Sequence, residues 1–496
     1  VTTASDDKEV SVLDNAAQFL NYIDGQWVAS TSGETFENRN PADQDDLLGR
    51  FQASTVEDAR QAITAADHAF TAWRATPISQ RAKVLNLAAD YLMKNVEQFA
   101  EELTREEGKL LANSRDEIAR SAQTLRFYAI EGQTITGETF PQDDAKMMVY
   151  TQREPLGVAT IITPWNFPIS IPARKIAPAL ITGNTVVFKP SSDAPLIGYR
   201  LAEALHHAGV PAGVFNFITG AASVIGEEIT ANPVVKAISF TGSTPAGERI
   251  HRVAAMSTRT QMELGGKNPL IVLDDADIAT AVDLTVKGGF SLTGQACTGT
   301  SRVLIARGRK EEYLTRLVEK VKTLKIGNGM AEGTQIGPLA TRQQLDSVLG
   351  YIEAGKQEAT HVHGGEHLSE GDYAKGFYVA PAIFSDVTQE MRIAREEIFG
   401  PVVAVIEVDG YEDAIAKAND TPYGLSAALV TNDIAYIQRF PLDIQAGTVK
   451  VNRTTTGNLV NAPFGGLKQS STSTFRESGR AGLDFFTQTK TVYIGR

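Results

Sequence analysis

One cysteine stands among 496 residues, so no internal disulfide can form. A single reduced thiol fits a cytoplasmic setting. The chain also lacks any apolar run near the ~18 residues that a membrane span needs. Its opening stretch, VTTASDDKEV, has neither the basic start nor the apolar core of a secretory leader. Positive charge is in deficit: 47 Lys and Arg against 59 Asp and Glu give a formal net charge of −12, the wrong sign for a nucleic-acid surface. Two enzyme fingerprints are missing too. Without a GxSxG elbow the direct route to a serine hydrolase is closed, and without GxGxxG the standard dinucleotide turn is not available. Three of the seven histidines stand in HVHGGEH (His361, His363, His367). A glycine-rich loop without a nearby cysteine is a poor frame for converging ligands, and no metal is expected.

What is present is an ordinary globular composition, 42% hydrophobic and 21% charged, in a chain too long for one compact core. Two large domains are the natural expectation. The stretches VEDARQAITAADHAFTAWR (56–74) and RAKVLNLAADYLMKNVEQFAEEL (81–103) carry apolar residues at helical spacing. From 158 the texture becomes short β-branched runs (VATIITPW, NTVVFKP, VFNFITG, KAISFTGS) alternating with helical stretches, which predicts βαβ units and a parallel sheet. A second alternating series starts at NPLIVLDD (268–275), placing a boundary near Gly265–Gly266. Two segments, MMVYTQREPLGV (147–158) and FFTQTKTVYIGR (485–496), alternate apolar and polar residues with period two, as half-exposed strands do. An exposed strand needs a partner, and pairing with another subunit is expected.

The lone thiol, Cys297, sits in TGQACTGTSR, where Gly294 and Gly299 with Gln295, Thr298 and Thr300 describe a tight polar turn. Such a turn lets a thiol be approached, but a free cysteine packs equally well as a small buried hydrophobe. Local context leaves both readings open. Glu263, in QMELGGKNP, is either a solvated strand-end carboxylate or a general base beside a Gly-Gly turn. The strand-to-helix turn GSTPAG (242–247) presents backbone N–H groups to an anion or merely joins two elements.

Taken in chain order, ITPWNFP (162–168), FKPSS (188–192), FTGSTPAG (240–247), ELGGKNP (263–269), GQACTGTSR (294–302), EEIFGPV (396–402) and PFGG (463–466) resemble the aldehyde dehydrogenase superfamily across nearly the whole chain. The resemblance implies an α/β fold with a Rossmann-type cofactor domain from 1–136 and 157–263. It further implies a second α/β catalytic domain from 264–473 and a β-strand oligomerisation arm from 137–156 and 474–496. In relatives that arm adds to a neighbouring subunit's sheet, giving homodimers or homotetramers. It implies Cys297 as nucleophile, Glu263 as the base that activates water on the thioester, and Asn166 with the Cys297 N–H as oxyanion donors. Lys189, Ser191 and Ser192 would meet the adenosine ribose, and Gly242, Ser243 and Gly247 the pyrophosphate. Glu397 would hold the nicotinamide ribose with Phe399 beside the ring, and Thr163, Pro164 and Trp165 complete the cofactor set. Many NAD-preferring members have a glutamate where this chain has Ser192. The missing carboxylate leaves room for a 2′-phosphate, so NADP is expected to be preferred over NAD.

For the substrate, the resemblance implies a pocket of Phe167, Arg174, Ser291, Arg453 and Phe464. Arg174 stands where succinic semialdehyde dehydrogenases hold a distal carboxylate, but their second arginine is Ser291 here. The segment VNRTTTGNLVNAPFGGLKQSSTSTFRESG is similar to that of 2-oxoglutarate semialdehyde (2,5-dioxopentanoate) dehydrogenases, which act in non-phosphorylated pentose breakdown. That aldehyde is the expected substrate, with succinic semialdehyde or a broad aldehyde range as the alternative. Three rivals remain. A CoA-acylating enzyme usually lacks the equivalent of Glu263, a catalytically idle structural protein would not need Cys297, and a thiol esterase would not need the cofactor motifs.

Overall fold

The computed structural model describes residues 17–472 and 474–495, so the acidic opening segment lies outside them. In the helix Val56–Ala75 the buried residues Ala59, Ala62, Ile63, Ala66 and Trp73 share a face, and Thr55 exchanges capping hydrogen bonds with Asp58 at its start. The apolar-periodic stretch that follows is not one helix. It forms Ile78–Lys94 and Val96–Glu107, divided at Asn95, whose side-chain Nδ2 donates to the Tyr91 carbonyl at 2.9 Å. A side chain that competes for the backbone in this way ends the first helix locally, although the hydrophobic period runs on.

The β-branched runs assemble into a seven-stranded sheet in the order Arg259–Glu263, Val235–Thr241, Val158–Ile162, Thr185–Lys189, Phe215–Phe217, Asn21–Ile23, Gln26–Val28. The first five are parallel, and the last two form an antiparallel hairpin edge. Pleating sends Ile161, Val186 and Phe188 into one apolar layer and Val158, Val187 and Ile238 into another, so both faces are covered. The second sheet also has seven strands: Thr360–His363, Ala382–Ser385, Val402–Val408, Thr300–Ala306, Asn268–Val272, Ser426–Val430, Thr448–Val451. Only the first of these is antiparallel. It too separates two apolar layers, with Ile271 and Leu304 on one side and Val272 and Val303 on the other.

The two half-exposed strands pair with each other. Met147–Pro155 and Thr487–Gly495 form an antiparallel ladder from Thr487 opposite Pro155 to Gly495 opposite Met147, with Thr139–Phe140 on the other side of the first. Within the chain each is thus the other's partner, and the outer edge of Thr487–Gly495 has no strand beside it among the described residues. Alternation reveals a half-exposed strand but not what it pairs with. The helix Gly479–Phe485 lies within the stretch expected as arm, yet Leu483, Phe485 and Phe486 are buried in the first core. Arg259 ties that end down, donating from Nη1 to the carbonyls of Asp484, Phe485 and Thr487 at 3.1, 2.7 and 2.8 Å.

Chain direction then fixes where chemistry can occur. Residues 163–168, 190–194 and 242–243 leave the carboxyl ends of first-sheet strands, the usual place for a ligand in such a sheet. Residues 264–267, 295–299 and 396–401 lead into the amino ends of second-sheet strands. These sets of loops meet at the seam between the sheets.

Candidate active site

Cys297 lies in the loop that follows the short turn Ser291–Gly294, where Leu292, Thr293 and Gly294 take left-handed φ values of 53°, 55° and 72° in succession. Non-glycine residues rarely adopt that region, and here side-chain bonds support it. Thr293 Oγ1 donates to Gly337 O at 3.0 Å, and Gln295 Oε1 accepts from Ala340 N at 2.9 Å. Gly294 admits no substitute, because a Cβ there would stand 2.1 Å from Gly400 O. Beyond the thiol, Asn268 Nδ2 donates to the carbonyls of Cys297 and Gly299 at 2.8 and 2.9 Å. The thiol itself is free and half-buried. Asn166 reaches the same loop from the first sheet, donating from Nδ2 to Gln295 O at 3.0 Å. That amide nitrogen keeps a second N–H, while Asn166 Oδ1 is buried without a partner.

Glu263 ends the edge strand of the first sheet and is almost wholly buried, with neither carboxyl oxygen hydrogen-bonded among the described residues. Burial, reinforced by the nearby Glu477 carboxylate, holds its carboxyl well above the usual range against the pull of Lys175, Arg476 and Arg174. It fits only because Gly465 of PFGG lacks a Cβ, which would lie 2.7 Å from Glu263 Oε1. Cys297 answers to the same surroundings. Burial and then the Glu397 carboxylate push its thiol up to about 12, with Glu263 and Glu477 adding to this and Arg174 opposing it. The thiol is therefore protonated at neutral pH and needs a base before it can act.

The Gly-Gly pair after Glu263 makes room on both sides. A Cβ on Gly265 would meet Glu397 Oε2 at 2.1 Å, and one on Gly266 would meet Cys297 O at 2.7 Å. Glu397 Oε1 accepts from Gly266 N at 3.0 Å, and burial raises its carboxyl to about 7. Phe399, at a left-handed φ of 55°, packs edge-on against Trp165 with ring centroids 5.4 Å apart.

The expected cofactor residues line three adjacent parallel strands. Thr163 N donates to Lys189 O at 3.3 Å, and Gly242 N donates to Glu263 O at 3.1 Å. Ser243 precedes the helix Thr244–Val253 without a side-chain cap, so its first N–H groups await a partner. Gly247 packs against Leu264, and Pro164 is half-buried between Thr163 and Trp165. The hydroxyls of Thr163 and Thr241 are buried and unpartnered. Lys189 Nζ has one hydrogen bond, to Pro190 O at 3.0 Å, and burial brings it down to about 8 against the counter-pull of Asp193. Unspent donors and buried hydroxyls at carboxyl strand ends suit a phosphate-bearing dinucleotide. Ser192 donates its hydroxyl to Gly220 O at 3.0 Å, and Ser191 donates to Asp193 Oδ2 at 3.1 Å. Asp193 is thus an acidic group beside the lysine that motif reading passed over.

Of the expected pocket residues, Arg174 and Phe464 come together, with the guanidinium 5.9 Å from the ring centroid. Arg174 is not free: Nη1 lies 3.4 Å from Glu477 Oε1, and Nε donates to Ser170 O at 3.2 Å. Phe167 is half-buried, with Lys109 Nζ 4.8 Å over its ring. Arg453 and Ser291 are exposed. The loop carrying Arg453 is fastened by Lys450, whose Nζ donates to the carbonyls of Thr455, Thr456 and Gly457. His361, by contrast, sits on the far edge strand and bonds Gly364 O.

The aldehyde dehydrogenase family profile matches residues 27–492, a span that contains every one of these loops. The chain belongs to the aldehyde dehydrogenase family. Its reaction is accordingly the oxidation of an aldehyde to an acid with a nicotinamide cofactor. It is 45% identical over 487 residues to an alpha-ketoglutaric semialdehyde dehydrogenase of Bacillus subtilis, covering 98% of this chain and 100% of that one. It is 42% identical to an alpha-ketoglutarate semialdehyde dehydrogenase of Haloferax volcanii, covering 95% and 98%. Among solved structures, a betaine aldehyde dehydrogenase from Staphylococcus aureus in complex with NAD+ superimposes with a TM-score of 0.94 at 35% identity, covering 97% and 96%.

This aldehyde dehydrogenase also uses residues that motif reading did not single out. Lys175, fully buried, donates to Glu477 Oε2 at 2.7 Å and Ser239 Oγ at 3.0 Å, and Ser239 passes its own hydrogen to Gln261 Oε1 at 2.7 Å. Burial alone would raise Glu477, but Lys175 and Arg174 hold it below the usual carboxylate range. The only available signal was a charged pair, Arg174 and Lys175, in an otherwise apolar helix. Gly265→Ala is expected to drive Glu397 aside. Overpacking of this kind costs about 1–3 kcal/mol, so nicotinamide-cofactor binding, followed by fluorescence quenching, should weaken roughly tenfold. Unchanged affinity would show that Glu397 does not contact the cofactor.

Proposed function

We propose that Cys297 is the nucleophile, Glu263 the base, and Asn166 with the Cys297 backbone N–H the oxyanion donors, and that the aldehyde is 2-oxoglutarate semialdehyde. The observation that carries the catalytic part is the pairing of a thiol raised by burial with an unbonded, buried carboxyl held well above the ordinary carboxylate range, the charge of Glu263 adding to the rise of the thiol. Glu263 takes the thiol proton as Sγ bonds to the carbonyl carbon, and the carbonyl π electrons move to oxygen. The free N–H of Asn166 and the Cys297 N–H meet that oxyanion. Lys189, Gly242, Ser243 and Glu397 would hold a nicotinamide cofactor, which would supply the hydride acceptor for the former aldehyde carbon. Glu263 then releases the thiol proton to solvent and is a carboxylate again; water attacks the thioester on Cys297, Glu263 takes the water's proton, the C–S bond breaks to leave the Cys297 thiolate, which is reprotonated, and the acid departs.

A base must be ionised to work. Because Glu263 is raised, it is protonated below a pH well above 4.5 and active above it, so kcat/KM should fall as pH drops through that raised value. Glu263→Gln should abolish this limb and lower turnover by about 10²–10⁴, with unacylated enzyme the species seen by intact mass because the thiol has lost its base. A variant that keeps the acid limb would move the base elsewhere.

For the substrate, Arg174 is the argument. Glu477 is held closely by Lys175 at 2.7 Å and only loosely by Arg174 at 3.4 Å, so this guanidinium can turn to a substrate carboxylate. The two semialdehyde-oxidising relatives support the same class, and Arg453 offers a second cation at the surface. A charge-assisted hydrogen bond contributes about 1.5–3 kcal/mol. Arg174→Ala should therefore lower kcat/KM about 10- to 100-fold for 2-oxoglutarate semialdehyde but only slightly for an unbranched aliphatic aldehyde. Equal losses on both remove the carboxylate contact.

The cofactor reading is that both NADP and NAD are used and NADP is preferred. It rests on Ser192, whose hydroxyl is turned to Gly220 O and which carries no charge to repel a 2′-phosphate. Asp193 limits that preference, so Asp193→Asn should raise the ratio of kcat/KM for NADP over NAD. A large NAD preference in the unmodified enzyme overturns this reading. A cytoplasmic enzyme fits the free thiol. Assembly into dimers or tetramers fits Thr487–Gly495, which is paired on one edge only among the described residues.

A further inference from the structure

Behind the oxyanion loop lies a buried ion pair that the mechanism above does not use. The helix Val96–Glu107 ends at Gly108, which takes a left-handed φ of 90° and turns the chain inward. Lys109 follows, 3% exposed, and its side chain reaches the Asn166 loop. Its Nζ donates to Glu117 Oε2 at 2.6 Å and to the backbone carbonyl of Asn166 at 2.7 Å. The same ammonium sits 4.8 Å over the Phe167 ring, and Glu107 Oε2 stands 3.8 Å away. Glu117, 4% exposed on the helix Leu111–Glu131, accepts from Ile169 N and Ser170 N at 3.3 and 3.2 Å with its other oxygen. Two charged side chains therefore hold both ends of the segment 166–170: its first carbonyl through Lys109, and the start of the helix Ser170–Thr182 through Glu117.

We propose that Lys109 and Glu117 are positioning residues for the oxyanion hole. Their ion pair fixes the Asn166 main chain, and with it the direction in which the Asn166 side-chain N–H points. A hydrogen-bond donor stabilises an oxyanion only if it is already aimed when charge develops. Asn166 sits in a non-helical turn between the strand Val158–Ile162 and the helix Ser170–Thr182, so its direction is not set by either element. The Nδ2 bond to Gln295 O constrains the tip of the side chain, and the Lys109–Glu117 pair constrains its root. Glu106 offers a parallel on the cofactor side. It accepts from Leu196 N and Ile197 N at 2.5 and 2.9 Å, seating the helix that follows the Lys189 loop, and makes no bond to Asn166.

The proposal rests on Asn166 being an oxyanion donor, and the test separates the two claims. The first-turnover rate of cofactor reduction is measured at saturating cofactor for the unmodified enzyme, Asn166→Ala, Glu117→Gln and the double variant. Asn166→Ala should lose about 10²-fold, and no loss there would sink the oxyanion reading itself. Glu117→Gln keeps a carbonyl oxygen for the helix N–H groups but removes the charge that seats Lys109. It should lose roughly tenfold alone and less than about twofold in the Asn166→Ala background, since coupled residues do not add. The KM for cofactor should not move. Equal losses in both backgrounds, or an unimpaired single variant, overturn the positioning role. If Glu117→Gln does not accumulate as folded protein, the same cycle is read on Lys109→Arg, which keeps the charge and shifts the donor off the Asn166 carbonyl.

Discussion

Everything at this site follows from two carboxylates sharing one nearly dry space. Glu263 and Glu477 are both buried, and the charge of Glu477 opposes the ionisation of Glu263. The fold resolves the conflict by giving the cations to one of them. Lys175 and Arg174 both face Glu477, which stays ionised, while the Glu263 carboxyl has no hydrogen-bond partner among the described residues and rises. Two identical functional groups thus receive different proton affinities from their surroundings, which is how one fold runs acid and base chemistry at one pH. Each unit of that rise corresponds to about 1.4 kcal/mol of lost preference for the charged form, and this makes Glu263 a better proton acceptor.

Crowding is the second consequence. The seam gathers loops from two sheets, and glycines stand where backbone or carboxylate must pass: Gly265 against Glu397, Gly266 against Cys297 O, Gly294 against Gly400 O, Gly465 against Glu263. The motifs are glycine-rich because the site has no space for a Cβ at these points, whatever local turn each glycine also serves.

This explains which parts could be read in advance. The motifs at strand ends that carry Asn166, Glu263, Cys297 and Glu397 were legible as a family resemblance, because each motif lies within a few positions, whereas local context alone left the roles of Glu263 and Cys297 open. Lys175 and Glu477 were not: their contact spans 302 positions, and nothing local marks a lysine as buried. Lys109 reaches Asn166 across 57 positions and was hidden for the same reason. The two alternating strands were recognised as strands, but pairing is non-local, and each had the other available within the chain. The helix break at Asn95 was missed because the apolar period continues through it, and only the side-chain bond to Tyr91 O distinguishes it.

A charge placed against carbonyls also fastens the loop that carries Arg453. Lys450 offers three donors to three carbonyls of its own loop, a match that an ammonium makes and a neutral amine cannot. Burial brings Lys450 down to about 8, so at neutral pH the clamp is charged and complete. The same loop is joined to the cysteine strand through Thr455 and Thr300, whose hydroxyls are 2.8 Å apart. Arg453 therefore moves with a segment anchored both to the second sheet and to the chain leaving Cys297. On the substrate role proposed for Arg453, a guanidinium on a free loop would sample many directions, whereas this one is carried by backbone already tied down, which lowers the entropy it would lose on meeting a carboxylate.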